Sequence, residues 1–273
     1  AANSIHVMKM CHEFANEGHN VTLIYPNMKG IESNVKDIYS FYGVKSNFKL
    51  RKIYYPKIIG KTFLYLILAT IKAWFLNPNI VYSRDIFASY LSSLLRMNII
   101  YESHQSIREF GILYFKAFQQ LSKSSKLLKI ITITNSLKQH IINNYNLNED
   151  LFFVSPDGAD LIPEDTKPIE LIAEKENLQV GYVGHLYKGR GIELIIELSK
   201  RCSWADFHLI GGNDSDINFW IQKTKSIDNI YFHGFISQKM IKRYQISFDV
   251  LIAPYQIKVN VSSNSNISTE KWM

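Results

Sequence analysis

Val180-Gly-Tyr-Val-Gly-His-Leu-Tyr-Lys-Gly-Arg-Gly-Ile-Glu-Leu-Ile-Ile-Glu-Leu198 is the stretch whose reading decides the fold. The apolar run from Leu178 to Val183 predicts a buried strand. Ile192, Leu194, Ile195, Ile196 and Leu198 predict a helix starting near Gly191. Between them stand Gly184, Gly189 and Gly191, set among Lys188 and Arg190. Glycines let a backbone approach a ligand closely, N–H groups at a helix start point at an anion, and basic side chains add charge. Strand, glycine-and-base turn, helix is thus how α/β proteins build a phosphate site. A plain βα turn with solvated Lys and Arg has the same local pattern, so the rest of the chain must decide.

Downstream the alternation continues. Strands are predicted at 206–210, 229–232 and 249–252, with helices at 216–226 and 237–247, and the Ser- and Asn-rich tail from Lys258 to Thr269 reads as a loop. Upstream, a helix capped by Asn3 or Ser4 runs to Gly18, and Val21 to Tyr25 is a strand. A short helix or turn at Asp37–Tyr42 and a strand at Lys49–Tyr54 follow. A helix from Thr62 is stopped by Asn77-Pro78. Strands at 80–83, 99–102, 130–134 and 151–154 then alternate with helices at 87–96, 113–123 and, capped by Asn135 or Ser136, up to Asn144. Strands alternating with helices argue for parallel sheets covered on both faces. The turn-rich Ser155–Pro163 and the charged segment after it place a domain boundary near 160–175, giving an N-terminal domain 1–163 and a C-terminal domain 164–273.

A chain of 273 residues is long enough for two such domains, and its 47% apolar content is ordinary for a globular protein. Cys11 and Cys202 lie far apart, so neither a disulfide framework nor a cysteine metal cluster is indicated, and a reducing cytoplasm is the expected setting. The sequons at Asn260 and Asn266 read as chance. Residues 1–150 hold 18 Lys and Arg against 9 Asp and Glu, a balance of +9; residues 151–273 hold 13 against 15, a balance of −2. The excess peaks at Lys45, Lys49, Arg51, Lys52, Lys57 and Lys61, beside the apolar run Phe63–Leu76. That run, flanked by Lys61 and interrupted by Lys72, is too short to span a bilayer. It fits either a surface that touches anionic lipid or a core helix preceded by a solvated basic loop. No nucleic-acid module interleaves the basic residues, so nucleic acid is not an expected partner.

In doubly wound sheets ligands bind beyond the carboxyl ends of the strands. The positions that follow predicted strands are Arg84-Asp85, Glu102-Ser-His104, Asn135, Asp157-Gly158, Gly184-His185, Gly211-Gly212, His233-Gly234 and Pro254-Tyr255. With these in view, an ordered set of blocks resembles the family-four glycosyltransferases of GT-B fold. The blocks are Gly18-His-Asn-Val-Thr-Leu-Ile24, Tyr101-Glu-Ser-His104, Ser155-Pro-Asp-Gly-Ala-Asp160, Gly181 to Gly191, Leu209-Ile-Gly-Gly212, Phe232-His-Gly-Phe235 and Tyr244 to Tyr255.

The resemblance implies two Rossmann-like domains facing a cleft, an acceptor domain first and a donor domain second. It implies retaining, metal-independent transfer of a sugar from a nucleotide-sugar donor to a glycan or lipid-linked acceptor. Surface-polysaccharide assembly at the inner face of the membrane is then the expected setting, with no cofactor besides the donor. In the family pattern an Arg just after Gly and a Lys five places on hold the donor diphosphate. Here His185 and Arg190 occupy those places, with Gly184 and Lys188 beside them. Arg190 stays charged and can bind phosphate bidentately, whereas the charge of His185 depends on pH. Cations there would stabilise charge building on the leaving diphosphate, the role a divalent ion fills elsewhere. His104 matches the histidine near the transferred sugar; as a lone residue it also fits a structural hydrogen bond. Gly234 and Phe235 match the turn that reads the base, and equally a plain βα turn. Asp157-Gly158 reads as a linker turn. Asp214-Ser-Asp216 looks like the metal-binding Asp-x-Asp of the other glycosyltransferase fold, but after Leu-Ile-Gly-Gly an Asp there is better read as a helix cap.

The family's glycine-rich loop before the first helix and its later glutamate pair are not found, and Glu270 is not in that setting. The chain is therefore expected to be an internal piece of a longer enzyme, with little activity alone. Two other readings share these features: a sugar-nucleotide epimerase, told apart by turnover without acceptor, and a non-catalytic nucleotide-sugar-binding subunit. A nicotinamide enzyme is disfavoured, because Gly181-x-x-Gly184 lacks G-x-G-x-x-G and its acidic ribose partner.

Overall fold

The computed structural model describes residues 2–27, 35–56, 58–171 and 176–254, the side chains of residues 2, 108, 109, 238 and 239 apart. The expected tail loop, Tyr255, Lys57 and Glu270 lie outside these. The described chain divides into two compact units. One takes in residues up to Tyr39 and Val44–Ala159; the other takes in Ser40–Gly43 and residues from Asp160 on.

In the first unit, α1 (Ala2–Asn16) leads to β1 (Thr22–Asn27), and β2 (Lys49–Tyr54) pairs with β1 in parallel. Between them in sequence lies the short α2 (Ile38–Tyr42), whose residues from Ser40 on are counted with the other unit. A second parallel sheet has the order β3 (Val81–Ser83), β4 (Ile99–Ser103), β5 (Leu127–Thr132), β6 (Phe152–Val154). Its connections carry α4 (Ile86–Leu94), α5 (Ile112–Leu121) and α6 (Asn135–Tyr145), with α3 (Lys61–Phe75) before β3. Ile99, Tyr101 and Ile130 of the strands meet Ile86, Phe118, Leu121, Leu137 and Ile141 of the helices in one buried cluster. The near-continuous apolar strands follow from burial on both faces.

The second unit repeats the plan with the strand order β10, β7, β8, β9, all parallel. These are β7 (Leu178–Val183), β8 (Ala205–Ile210), β9 (Ile230–Gly234) and β10 (Val250–Leu251). The helices are α7 (Ile192–Arg201), α8 (Asp214–Lys223) and α9 (Gln238–Gln245). Every residue of central β8 is buried. Two of them are polar, and both are matched. His208 Nε2 donates to Gln179 Oε1 at 2.7 Å, and its Nδ1 is 2.9 Å from His233 Nε2, while Gln179 Nε2 lies 3.4 Å from Asp206 Oδ2.

Three caps differ from expectation. Helix α1 starts at Ala2, so Asn3 and Ser4 lie inside it, and Asn3 Oδ1 accepts from Arg84 Nη1 at 2.6 Å instead. Thr134, not Asn135 or Ser136, caps α6, because its extended backbone lets the hydroxyl reach the Leu137 N–H. Asn213, not Asp214, caps α8 by accepting from the Asp216 N–H. Both aspartates then sit in the first turn, where they complement the helix dipole.

Candidate functional site

The turn from Gly184 to Gly191 is held by its own backbone and by two tyrosines. The Gly184 N–H donates to the Ile210 carbonyl at 2.9 Å, and the buried Tyr182 hydroxyl donates to the His185 carbonyl at 2.7 Å. Gly191 caps α7 with φ +79°, a conformation that favours glycine. Arg190 Nη2 donates to the Tyr187 hydroxyl at 2.6 Å, and its guanidinium carbon lies 4.9 Å from the Tyr187 ring centre. The planar fork is thereby held on one aromatic face. Lys188 is exposed. Partial burial, and then the Arg190 charge, push the His185 pKa down, so at neutral pH the cations of this turn are Lys188 and Arg190.

The carboxyl ends of three strands meet here. A β-carbon on Gly211 would stand 2.2 Å from the Gly184 carbonyl oxygen, and the Gly211 N–H donates to the Gly234 carbonyl at 2.7 Å. Gly234 is the last residue of β9, and Phe235 beyond it is exposed. The predicted residues Gly184, His185, Lys188, Arg190 and Gly234 therefore belong to one strand-end region of the second unit.

His104 belongs to the first unit, just past β4, in a polar cluster. Glu102 is only 3% exposed. Its Oε2 accepts from the Tyr82 hydroxyl at 2.6 Å, and its Oε1 is hydrogen-bonded to His104 Nε2. His6 Nε2 from α1 stands 2.9 Å from the same Oε1, Arg84 Nε stands 3.9 Å from it, and His6 Nδ1 stands 3.6 Å from Asp157 Oδ1. Burial alone would raise the Glu102 pKa. Hydrogen bonds from His104 and Tyr82, with the charges of His104 and His6, outweigh it and hold the pKa at about 2. Ligand atoms of His6, Glu102 and His104 lie within 4.8 Å of one another. Arg84 and the His104 and Tyr82 hydrogen bonds converge on this carboxylate, which is the centre of the cluster.

A family model described as Glycosyltransferase Family 4 matches residues 4–162. The chain belongs to glycosyltransferase family 4. No curated protein sequence matches it. Among solved structures, Anabaena Alr3699/HepE in complex with UDP and glucose aligns with a TM-score of 0.62 at 12% identity, over 90% of this chain and 69% of that one. A glycosyltransferase from Rickettsia africae aligns with a TM-score of 0.61 at 17% identity, over 92% and 69%. The lipopolysaccharide outer core galactosyltransferase WaaB, apo form, aligns with a TM-score of 0.52 at 13% identity, over 88% and 68%. The family 4 chain thus has an α/β fold of GT-B type, built from Rossmann-like units.

Several polar groups of this glycosyltransferase are given no role in the site by the sequence alone. His6 carries no motif and joins the cluster only because α1 lies beside β4. Asp157, in the segment read as a linker turn, lies close to His6. Glu102 stands two residues before His104 on the same side of an extended segment, a spacing that points to it in hindsight. Tyr182 and Tyr187, which shape the turn, read in sequence as core and loop.

Proposed function

We propose that this glycosyltransferase is retaining and metal-independent, and that it moves a sugar from a nucleotide-sugar donor to a glycan or lipid-linked acceptor in surface-polysaccharide assembly. The observation that carries the reading is the turn Gly184–Gly191. In it a guanidinium fixed on Tyr187 stands beside Lys188, at a strand end that feeds the start of α7. In this reading the diphosphate takes bidentate hydrogen bonds from Arg190, and N–H groups at the start of α7 add theirs. Charge building on the leaving diphosphate meets fixed cations, the task a divalent ion performs elsewhere. The Alr3699/HepE structures with UDP and with UDP-glucose support a nucleotide-sugar donor. The name of WaaB supports a surface-glycan setting. The second unit then serves the donor and the first the acceptor, with His104 at the transferred sugar. Calorimetry with UDP tests the donor site: Arg190→Ala should weaken binding about tenfold or more, and equal affinity for variant and wild type would overturn the assignment.

The lipid-linked acceptor rests on α3. Phe63, Ile67, Ile71 and Trp74 recur along one helical stripe and are all exposed, while Leu66 and Thr70 on the stripe beside it are buried. Ile59, just before the helix, is 103% exposed. Between Asp37 and Asp85 the sequence holds eight Lys or Arg and no Asp or Glu. Exposed apolar side chains on so basic a stretch of sequence fit an anionic bilayer surface. Among the described residues, no helix is long and apolar enough to cross a membrane. Flotation with anionic vesicles tests this. Low-salt association that Ile59→Asp with Trp74→Asp abolishes is expected, and no association at low salt overturns it.

A further inference from the structure

Two imidazoles from different elements meet at one buried carboxylate. His6 comes from α1 and His104 from beyond β4. Their rings meet edge to face, 5.2 Å apart at 84°. An ionised carboxylate only accepts hydrogen bonds. Tyr82 must therefore donate to Glu102 Oε2, and His104 must donate through Nε2–H to Oε1. That leaves His104 Nδ1 as the atom able to accept from a hydroxyl in the neutral ring. His6 Nε2 lies close to the same oxygen but out of line, and among the described residues it has no hydrogen-bond partner. It is a buried nitrogen at the edge of the cluster with capacity to spare.

We propose that Glu102 is a positioning residue for His104, fixing its ring in the Nε2–H form with Nδ1 turned to the sugar. This rests on the reading of His104 as the residue at the transferred sugar. A ring whose acceptor nitrogen is already set needs no reorganisation when a sugar hydroxyl arrives. The groups facing Glu102 are His6 from α1, Tyr82 and Arg84 at the end of β3, and His104; Asp157 faces His6 from the other side.

The test is ¹⁵N long-range NMR of the full chain with labelled histidine, read together with transfer kinetics. His104 should be in the Nε2–H tautomer when neutral. Glu102→Ala, which removes the acceptor, should let the Nδ1–H form appear. Tyr82→Phe, which keeps the carboxylate, should leave the tautomer unchanged. An Nδ1–H tautomer in the wild type, or an unchanged tautomer in Glu102→Ala, overturns the proposal; the wild-type spectrum stands even where the variant does not fold. In turnover, Glu102→Gln should lower kcat by about tenfold or more with the donor KM within about threefold. A raised KM at unchanged kcat would also overturn it. Absence of transfer by the full-length enzyme, with the NMR results as expected, would count against the transferase mechanism and leave the Glu102–His104 pairing standing.

Discussion

Gly191 lies so close to Pro254 that a β-carbon on it would stand 1.8 Å from the Pro254 carbonyl oxygen. The start of α7 is thereby locked to the segment that leaves β10. Gly191→Ala meets both that backbone and a φ of +79°, so it should destabilise the second unit by about 2 kcal/mol or more. Gly158→Ala, whose β-carbon would meet nothing within 4 Å, should stay within about 0.5 kcal/mol of wild type. Denaturant midpoints of the two variants make the comparison; equal midpoints would contradict the packing.

Tyr187 separates two contributions to the proposed donor turn. Tyr187→Phe keeps the ring under Arg190 but removes the hydroxyl that accepts from Nη2. It should weaken UDP binding less than Arg190→Ala does, by about two- to tenfold. Arg190→Lys keeps charge but not the fork, and should fall between the two. Titration calorimetry ranks all three, and a Tyr187→Phe loss as large as that of Arg190→Ala would show that the hydroxyl itself is needed.

Acid should act on the second unit first. Burial, and then its neighbour His233, push the His208 pKa down to about 4; burial lowers His233 as well. Between that value and the ordinary 6.5 the unfolded chain binds more protons than the folded one. Stability is therefore full above pH 6.5 and falls as pH drops toward 4. Denaturation midpoints should be lower at about pH 5 than at about pH 7.5. His208→Gln should flatten that slope, and a slope unchanged in the variant would exclude this origin.

Glu102 opens a second window at lower pH. Its folded pKa of about 2 lies below the ordinary 4.5, so its stabilisation is complete above 4.5 and is lost as pH falls toward 2. The effect is on the order of 3 kcal/mol. Hydrogen exchange followed by NMR should show β3–β5 amides losing protection in this range in wild type but not in Glu102→Gln. Protection retained to pH 2 in both would mean that the carboxylate is not paired as described.

The alternation of apolar runs with glycine and capping residues is enough to read the α/β plan, since strand and helix each leave a local period in the sequence. The glycines of the proposed donor turn are legible for a similar reason, because Gly184, Gly189 and Gly191 punctuate the passage from strand to helix. Helix ends are less so: Asn3, Asn135 and Asp214 are good caps in isolation, but for α6 and α8 a neighbour one residue away has the extended backbone that capping requires.

Local order along the chain is thus sufficient to show that strands and helices alternate, that a glycine-and-base turn follows Val183, and that His185 and Arg190 belong to it. Which of those charges is usable depends on packing. Tyr187 stands in the same turn as Arg190, yet no pattern in the turn says that its ring lies under the guanidinium; closure of the turn puts it there. His6 reaches Glu102 from a distant part of the chain because a helix start packs beside a strand end. Such partners leave no period or motif to read. Burial and distance alone make a carboxylate acidic, a histidine neutral, or a face of α3 open to solvent.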